Sequence, residues 1–303
     1  MYDVTKKSFR LDDIGELQYQ LAAVSPEFEE TVISHILGNY MHNSPFPLYL
    51  AIHGPKGEGK TFQTLRACAK YGITIYYVSG AELCGSYEKD SIAQIEQNLD
   101  EAILNYRTKH ILSVLIIDDF HLSVASVNDG VSKTVNSQIL TGWLMNLADR
   151  AKAERKSRIP FIFLGNDFSN LYAPLTRDGR MDFYEWKPSD EEKEKIICAH
   201  FEDYIQGDDN WTSFHALIAK YRLQPISFFA ELKNDLLKSL VVERIRTNRI
   251  INAVELLREL NGVSDEIFAN ASFNIIDRLK ELAMKRKKAI DTKTTTHENR
   301  RML

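Results

Sequence analysis

One short segment constrains the fold of this chain more than any other part of the sequence. The segment is Gly54-Pro55-Lys56-Gly57-Glu58-Gly59-Lys60-Thr61. It matches the pattern GxxxxGK(S/T), follows an apolar run and precedes a helical pattern, which is the context that this motif requires. Its glycines let the backbone curl so that N–H groups point at phosphate oxygens, and the following helix adds its positive end. We therefore predict a phosphate-binding loop, or P-loop, at residues 54–61, rather than a glycine-rich turn that binds nothing.

Strand patterns surround this loop. Short apolar runs alternate with longer helical patterns, which is typical of βαβ units and of a parallel sheet. We predict five strands, at residues 48–53, 73–78, 113–117, 161–164 and 183–186. Near-continuous apolar runs suit strands that helices cover on both faces. Tyr76 and Tyr77, on the second strand, are predicted to fill apolar space in the core or near a bound base.

The character of the sequence changes after Trp186, where strand patterns stop. Ser189 and Glu192 form an S-x-x-E capping box, and further helices are predicted to begin near Thr212 and Ser227. Asn261-Gly262 offers a helix stop. We predict four parts, namely an N-terminal segment, an α/β nucleotide-binding subdomain, a helical lid subdomain and a basic, disordered tail, at residues 1–26, 27–188, 189–285 and 286–303.

The composition narrows the class of protein. A chain of 303 residues with 44% hydrophobic and 26% charged residues can bury its own core, and a net charge of -4 argues against a generally basic nucleic-acid binder. Cys68, Cys84 and Cys198 form no CxxC pair, so we predict neither disulfides nor a zinc ribbon. We find no signal or transit peptide pattern and no apolar run near the roughly 18 residues that a membrane span needs. We expect a cytoplasmic protein that does not engage a membrane.

A second motif supplies carboxylates for a metal ion. The apolar run 115–117 ends in Asp118 and Asp119, and acids at the carboxyl end of a strand lie where open α/β sheets bind ligands. We predict that Lys60 contacts the β- and γ-phosphates of ATP. The Thr61 hydroxyl and Asp118 are predicted to hold Mg²⁺, and Asp119 to polarise the attacking water. Taken alone, such an acid pair often only starts a loop.

Three more candidate residues follow in chain order. Asn166 comes just after the apolar run 161–164, where an amide can hold a water near the γ-phosphate without adding charge. An asparagine after a strand is otherwise usually a turn residue. Arg177 and Arg180 lie further on, and a guanidinium group from a neighbouring subunit can neutralise a transferring phosphoryl group. A surface ion-pair loop is the alternative, and the order of the motifs favours catalytic roles.

The segment that contains these residues resembles a known family. Residues 166–181, NDFSNLYAPLTRDGRM, are similar to the sensor 1 and second-region-of-homology segment of rubisco activase. Supporting similarity lies at residues 56–63, 134–138, 144–149 and 224–229, and the resemblance covers roughly residues 27–245.

The resemblance implies a fold, an assembly and an activity. It implies an α/β AAA+ module, in which a parallel five-stranded P-loop sheet is flanked by helices and is followed along the chain by an all-helical lid subdomain. It further implies a homo-hexameric ring, ATP bound between subunits, and a protein client, which in this family is rubisco blocked by sugar phosphates. By position, Asn166 is sensor 1, and Arg177 and Arg180 act on the ATP of the neighbouring subunit. Pore-facing loops are expected near residues 83–88 and 126–133.

Several positions depart from the family pattern. Activases often carry Asn and then Asp where this chain has Asp118 and Asp119, which is the general AAA+ form. Lys233 stands where the family has a sensor 2 arginine, and we predict that it contacts phosphate without the planar fork of arginine. The plant-type N-terminal extension and a small-subunit-like domain are not found. Since those parts help to recognise rubisco, the identity of the client stays open.

Three interpretations of function follow from these observations. The leading one is an ATP-driven remodelling motor that releases inhibitory sugar phosphates from rubisco, or remodels another protein. The second is an ATPase switch of the helicase-loader type, which the basic residues 285–288 favour and the net charge opposes. The third is a nucleotide-binding regulator that hydrolyses little ATP, against which the acid pair Asp118-Asp119 argues.

Overall fold

The structure is a computed structural model that divides into two compact units, Met1–Lys187 and Pro188–Leu303. It describes residues 9–10, 24–83, 88–120, 135–154, 158–169, 171, 173–177, 179–248, 252–254 and 273–301.

The first unit is built on a sheet with five parallel strands. These are β2 (Tyr49–His53), β3 (Thr74–Ser79), β4 (Ser113–Asp118), β5 (Phe161–Leu164) and β6 (Met181–Glu185). The strand order is β1-β3-β4-β5-β2-β6, where β1 (Phe9–Arg10) pairs antiparallel with β3. The predicted five-stranded parallel sheet is confirmed. The edge strand β1 was not predicted, because two residues are too few to give a pattern.

Helices cover the central part of the sheet, which explains why β2, β4 and β5 are almost entirely apolar and buried, whereas the edge strand β6 is largely exposed. The helices of this unit are α1 (Pro26–Tyr40), α2 (Lys60–Lys70), α3 (Gly80–Leu83), α4 (Glu88–Lys109) and α5 (Val135–Glu154). All four residues of β5 are buried. The rings of Phe120 and Phe163 stack with centroids 4.2 Å apart, and burying one such side chain contributes about 1.5–3 kcal/mol.

The strand order brings three loops to one edge of the sheet. β2 lies between β5 and β6 and runs parallel to both, with Ile52 opposite Leu164 and His53 opposite Glu185. β4 lies on the other side of β5, in parallel register. Because parallel strands end at the same edge, the segments after β2, β4 and β5 emerge together there.

The second unit is helical in its described residues. Its helices are α6 (Asp190–Phe201), α7 (Asp208–Lys220), α8 (Ile226–Asn248) and α9 (Ile275–Arg301). The predicted capping box is confirmed, since the Ser189 side chain accepts from the Glu192 N–H and the Glu192 side chain accepts from the Ser189 N–H. Phe201, Phe214 and Phe229 are fully buried in the core of this unit. The predicted stop at Asn261-Gly262 lies outside the described residues.

The last helix differs from the sequence prediction of a tail without structure. α9 continues past residue 286 to Arg301. Arg286 Nε donates to Asp235 Oδ2 at 3.0 Å, and Lys287 Nζ donates to Asp291 Oδ1 at 2.8 Å, so acids compensate these basic side chains. The Lys287–Asp291 pair has the i,i+4 spacing that stabilises a helix modestly, whereas the Arg286–Asp235 pair joins α9 to α8. Within the described part of the chain, no helix combines the length and apolarity needed to cross a membrane.

Candidate nucleotide-binding site

The P-loop connects β2 to α2 and depends on glycine at two positions. Gly54 has φ +144°, and a Cβ atom placed on it would lie 2.1 Å from the Trp186 carbonyl oxygen. Gly59 is the N-cap of α2 and has φ +81°, in the left-handed region. Since α2 begins directly at Lys60, the loop ends at a helix N-terminus, where free N–H groups and the helix dipole favour an anion.

The Lys60 side chain contacts the backbone of this loop. Its Nζ donates to the carbonyl oxygens of Gly54 at 2.8 Å and Pro55 at 2.9 Å, and to Asn166 Oδ1 at 3.2 Å. The side chain is buried, and this burial lowers the pKa of Lys60, while Asp118 and Asp119 oppose the shift. The structure therefore brings the predicted phosphate-binding lysine and the predicted sensor asparagine into direct contact.

A second group of contacts surrounds Asp118 at the end of β4. The Thr61 hydroxyl donates to Asp118 Oδ2 at 2.8 Å, and the Tyr77 hydroxyl donates to the same oxygen at 2.7 Å. The Asp119 N–H donates to Asp118 Oδ1 at 2.9 Å. Thr61 and Asp118, the two predicted metal ligands, are thus adjacent, and Tyr77 is a member of the site that sequence reasoning missed.

Asp119 follows with an unusual backbone conformation. Its φ is +51°, and the residue is exposed. A residue other than glycine in the left-handed region carries strain of order 1–3 kcal/mol, and such residues cluster at active sites. The carboxylate is therefore accessible next to the Asp118 site, as a residue that polarises water must be.

The oxygen ligands at this site suit Mg²⁺ bound together with a phosphate better than they suit a metal ion bound by protein side chains alone. Mg²⁺ keeps several waters and is usually bound through one or two carboxylates together with substrate phosphates. Thr61 and Asp118 supply hydroxyl and carboxylate oxygens at the P-loop. Throughout the described residues, no group of three or more His, Cys, Asp or Glu side chains is arranged to hold a metal ion.

The two predicted arginines have different surroundings. Arg180 donates from Nε to Asp149 Oδ1 at 2.9 Å and from Nη2 to Asp149 Oδ2 at 2.6 Å, and its Nη1 donates to the Pro174 carbonyl. Arg177 is exposed, and within the described ranges its side chain has no hydrogen-bond or ion-pair partner. Arg177 is thus available to a neighbouring molecule, whereas Arg180 is engaged within its own chain.

Comparison with known families agrees with this arrangement of motifs. Residues 50–189, from β2 to just beyond β6, match the family described as "ATPase family associated with various cellular activities (AAA)". Residues 50–189 therefore form a domain of this AAA family of ATPases. The predicted AAA+ module is therefore confirmed.

Relatives of this AAA protein include three named ribulose bisphosphate carboxylase/oxygenase activase. The Nostoc sp. protein is 33% identical over 253 residues, which cover 77% of this chain and 60% of the relative. The Anabaena sp. protein is 35% identical over 224 residues, covering 70% and 53%. The chloroplastic protein of Arabidopsis thaliana is 32% identical over 269 residues, covering 82% and 55%. The AAA chain thus spans little more than half the length of these relatives.

Some predicted parts of the AAA protein are not brought into this site. Lys233 lies on α8 in the second unit, with its Nζ 4.5 Å from the centre of the Tyr204 ring, and its contact with phosphate stays a prediction. Of the segments predicted to face a pore, residues 84–87 and 126–133 lie outside the described residues. Asp178, between the two arginines, also lies outside them.

Trp186 is a further residue that the sequence did not single out as part of the site. Its Nε1 donates to the Glu58 carbonyl of the P-loop at 2.7 Å, and its ring packs edge-on against Phe28 with centroids 4.9 Å apart. A buried indole usually finds a hydrogen-bond partner. That tendency does not indicate which carbonyl oxygen will accept the hydrogen bond from Trp186, so only the structure could identify the contact.

Proposed function

We propose that this AAA protein is an ATP-driven motor that remodels rubisco and releases inhibitory sugar phosphates from it. We further propose that it works as a homo-hexamer with ATP bound between neighbouring copies. The single observation that carries the ATP-dependent part is the contact network of the P-loop, in which Lys60 reaches Asn166 while Thr61 reaches Asp118.

The proposed chemistry assigns one task to each residue of this network. Lys60 exchanges its carbonyl partners for the β- and γ-phosphates, and the N–H groups at the start of α2 bind the remaining phosphate oxygens. Thr61 and Asp118 hold Mg²⁺, which neutralises phosphate charge when it is bound. Asp119 orients the attacking water and accepts its proton, and the neutral amide of Asn166 holds that water in line without adding negative charge.

An arginine of the neighbouring copy completes the proposed site. Arg177 is the residue best suited to this role, because its side chain is exposed and has no hydrogen-bond or ion-pair partner among the described residues of its own chain. Arg180 is also predicted to act on the neighbour, and to do so it must first leave the Asp149 carboxylate. In well-studied phosphoryl-transfer systems an arginine finger contributes about 10³ to 10⁵ in rate.

The proposal of rubisco as client is supported by the relatives of the AAA chain. Proteins named rubisco activase from two cyanobacteria and a plant align over 70% to 82% of this chain. The direct test is reactivation of sugar-phosphate-inhibited rubisco by this protein and ATP, with Lys60→Ala as the control. We expect reactivation by the wild type alone. Failure with rubisco, in a sample that hydrolyses ATP, would reassign the motor to another client.

A nucleic-acid switch is less well supported than a protein remodeller. Three of the four basic residues that favoured it are paired with acids, namely Lys285 with Glu281 and Lys287 with Asp291 on α9, and Arg286 with Asp235 on α8. Paired side chains offer less charge to phosphates, whose binding by proteins is strongly salt-dependent. ATPase assays with and without DNA test this alternative, and strong, salt-sensitive stimulation would favour it over a protein client.

A further inference from the structure

Tyr77 brings a phenol hydroxyl to the edge of the sheet where the proposed ATP site lies. β3 and β4 are neighbouring parallel strands in which Ser79 is opposite Asp118. Side chains alternate along a strand, so Tyr77 shares the face of Ser79. From that position its hydroxyl reaches across to β4 and donates to Asp118 Oδ2 at 2.7 Å. None of the nucleotide-binding motifs contains this residue, which makes it a separate element of the site.

The contact determines how the Asp118 carboxylate is oriented. Oδ2 accepts hydrogen bonds from Thr61 and Tyr77, and Oδ1 accepts one from the Asp119 N–H. The carboxylate is thereby held from three sides. Because the Thr61 hydrogen is directed at Oδ2, the lone pairs of Thr61 Oγ1 remain available for a cation. An Asp118 side chain free to rotate would not direct the Thr61 hydroxyl in this way.

We propose that Tyr77 is a positioning residue for the magnesium ion of the bound nucleotide. Its phenol fixes Asp118, and Asp118 in turn orients the Thr61 hydroxyl, so that the two oxygen ligands are prearranged before the metal arrives. The inference rests on the proposed ATP site and adds to it a residue that sets metal affinity. Second-shell hydrogen bonds of this kind commonly alter metal affinity by about 10- to 100-fold.

The neighbouring residue supplies a matched control. Tyr76 lies on the same strand, faces the opposite side and is 2% exposed, and Asn105 Nδ2 donates to its hydroxyl at 3.4 Å. Tyr76→Phe removes a phenol hydroxyl, as Tyr77→Phe does, but on the face of the sheet opposite to Asp118. A difference between the two variants therefore reports on the Asp118 contact rather than on the loss of a hydroxyl from β3.

The test is a metal titration of wild type, Tyr77→Phe and Tyr76→Phe, with two readouts. The first is binding of Mn²⁺ to the ADP-bound protein, followed by electron paramagnetic resonance. The second is the Mg²⁺ concentration that gives half-maximal ATP hydrolysis. We expect Tyr77→Phe to raise both the dissociation constant for Mn²⁺ and the half-maximal Mg²⁺ concentration about tenfold. That factor corresponds to the loss of one hydrogen bond to a charged group. High Mg²⁺ should restore most of the rate of Tyr77→Phe, and Tyr76→Phe should follow the wild type in both titrations.

The outcomes separate this inference from the proposed function. If the wild type binds nucleotide and metal while Tyr77→Phe has wild-type metal affinity, Tyr77 does not position the ion. If Tyr77→Phe loses rate that no Mg²⁺ concentration restores, the residue acts on another step and the inference is also wrong. If the wild type itself shows no metal-dependent nucleotide binding, the proposed ATP site fails before Tyr77 is tested.

Discussion

Arg180 is held in place by Asp149 through two parallel hydrogen bonds. The Nε–Oδ1 distance is 2.9 Å and the Nη2–Oδ2 distance is 2.6 Å, and the contact with Arg180 holds the pKa of the Asp149 carboxyl below its usual range. Asp149 lies on α5, so this pair fastens the segment that carries both arginines to a helix of the same unit. Arg177, three residues earlier, is left exposed at a fixed place on the surface.

The first prediction concerns this difference between the arginines. Arg177→Ala should lower ATP hydrolysis in the assembled protein by about 10³-fold or more, because the transition state loses a neutralising charge. Nucleotide affinity and the melting temperature should stay close to the wild-type values, since the side chain is exposed and has no hydrogen-bond or ion-pair partner among the described residues of its own chain. Steady-state hydrolysis and thermal unfolding measure the two effects.

Arg180→Ala is the matched variant for this experiment. It should lower the melting temperature as well as the rate, because it removes the contacts with Asp149 and Pro174. Normal hydrolysis by Arg177→Ala in the assembled state would contradict the assignment of Arg177 to the neighbouring site.

The second prediction concerns Trp186, which ties the P-loop to the end of β6. Trp186→Phe keeps a ring against Phe28 but removes the donor to the Glu58 carbonyl, so the free energy of unfolding should fall by about 2 kcal/mol. ATP should also bind more weakly, because the loop loses a contact that fixes its shape. Urea unfolding and equilibrium nucleotide binding check these effects.

Trp143→Phe provides the control for an indole donor elsewhere. Trp143 Nε1 donates to Glu96 Oε1 at 2.9 Å on the surface, so its loss should cost clearly less stability and leave nucleotide binding unchanged. Equal effects of the two substitutions on unfolding and on nucleotide binding would show that the Glu58 contact does not stabilise the P-loop.

The third prediction concerns pH and His35, a buried residue of α1. Nε2 of its ring lies 3.1 Å from the Phe161 carbonyl oxygen, and burial lowers its pKa from 6.5 to about 4. Between pH 6.5 and 4 the unfolded chain binds a proton at His35 that the folded chain does not. The free energy of unfolding is therefore unaffected by protonation of His35 above pH 6.5 and falls as the pH drops toward 4. The loss reaches about 3 kcal/mol at the lower end.

His35→Gln tests this origin of the pH dependence. Glutamine does not titrate, so the variant should be less stable at pH 7 but show a flatter dependence of unfolding free energy on pH between 4 and 6.5. Urea unfolding across that range gives the slope. An unchanged slope would mean that His35 is not responsible for the acid sensitivity.

The main chemistry of the site could be predicted from the sequence because each motif is local. The P-loop, Asp118 and Asn166 all come at the ends of apolar strands, and parallel strands necessarily end at one edge of a sheet. The same reasoning predicted the five parallel strands to within a few residues. It also predicted the capping box at Ser189, since both partners lie within one helical turn.

The remaining contacts depend on pairings that the sequence does not display. Tyr77 was predicted only to fill apolar space, and its bond to Asp118 follows from the register between β3 and β4. The Arg180–Asp149 pair and the Trp186–Glu58 bond likewise join residues far apart in the chain. Tyr76, by contrast, is buried as predicted, because an apolar environment is the usual place for an aromatic residue within a strand.

The most direct test of the account is a calorimetric titration of Mg-ATP into the wild type and into Lys60→Met, with folding of both verified by circular dichroism. The wild type should bind with a saturable, magnesium-dependent signal, and the variant should bind about 10- to 100-fold more weakly, since it lacks a charged hydrogen-bond donor to phosphate. A well-folded wild type that binds no adenine nucleotide, or a variant with wild-type affinity, would contradict the claim that the P-loop holds the nucleotide through Lys60.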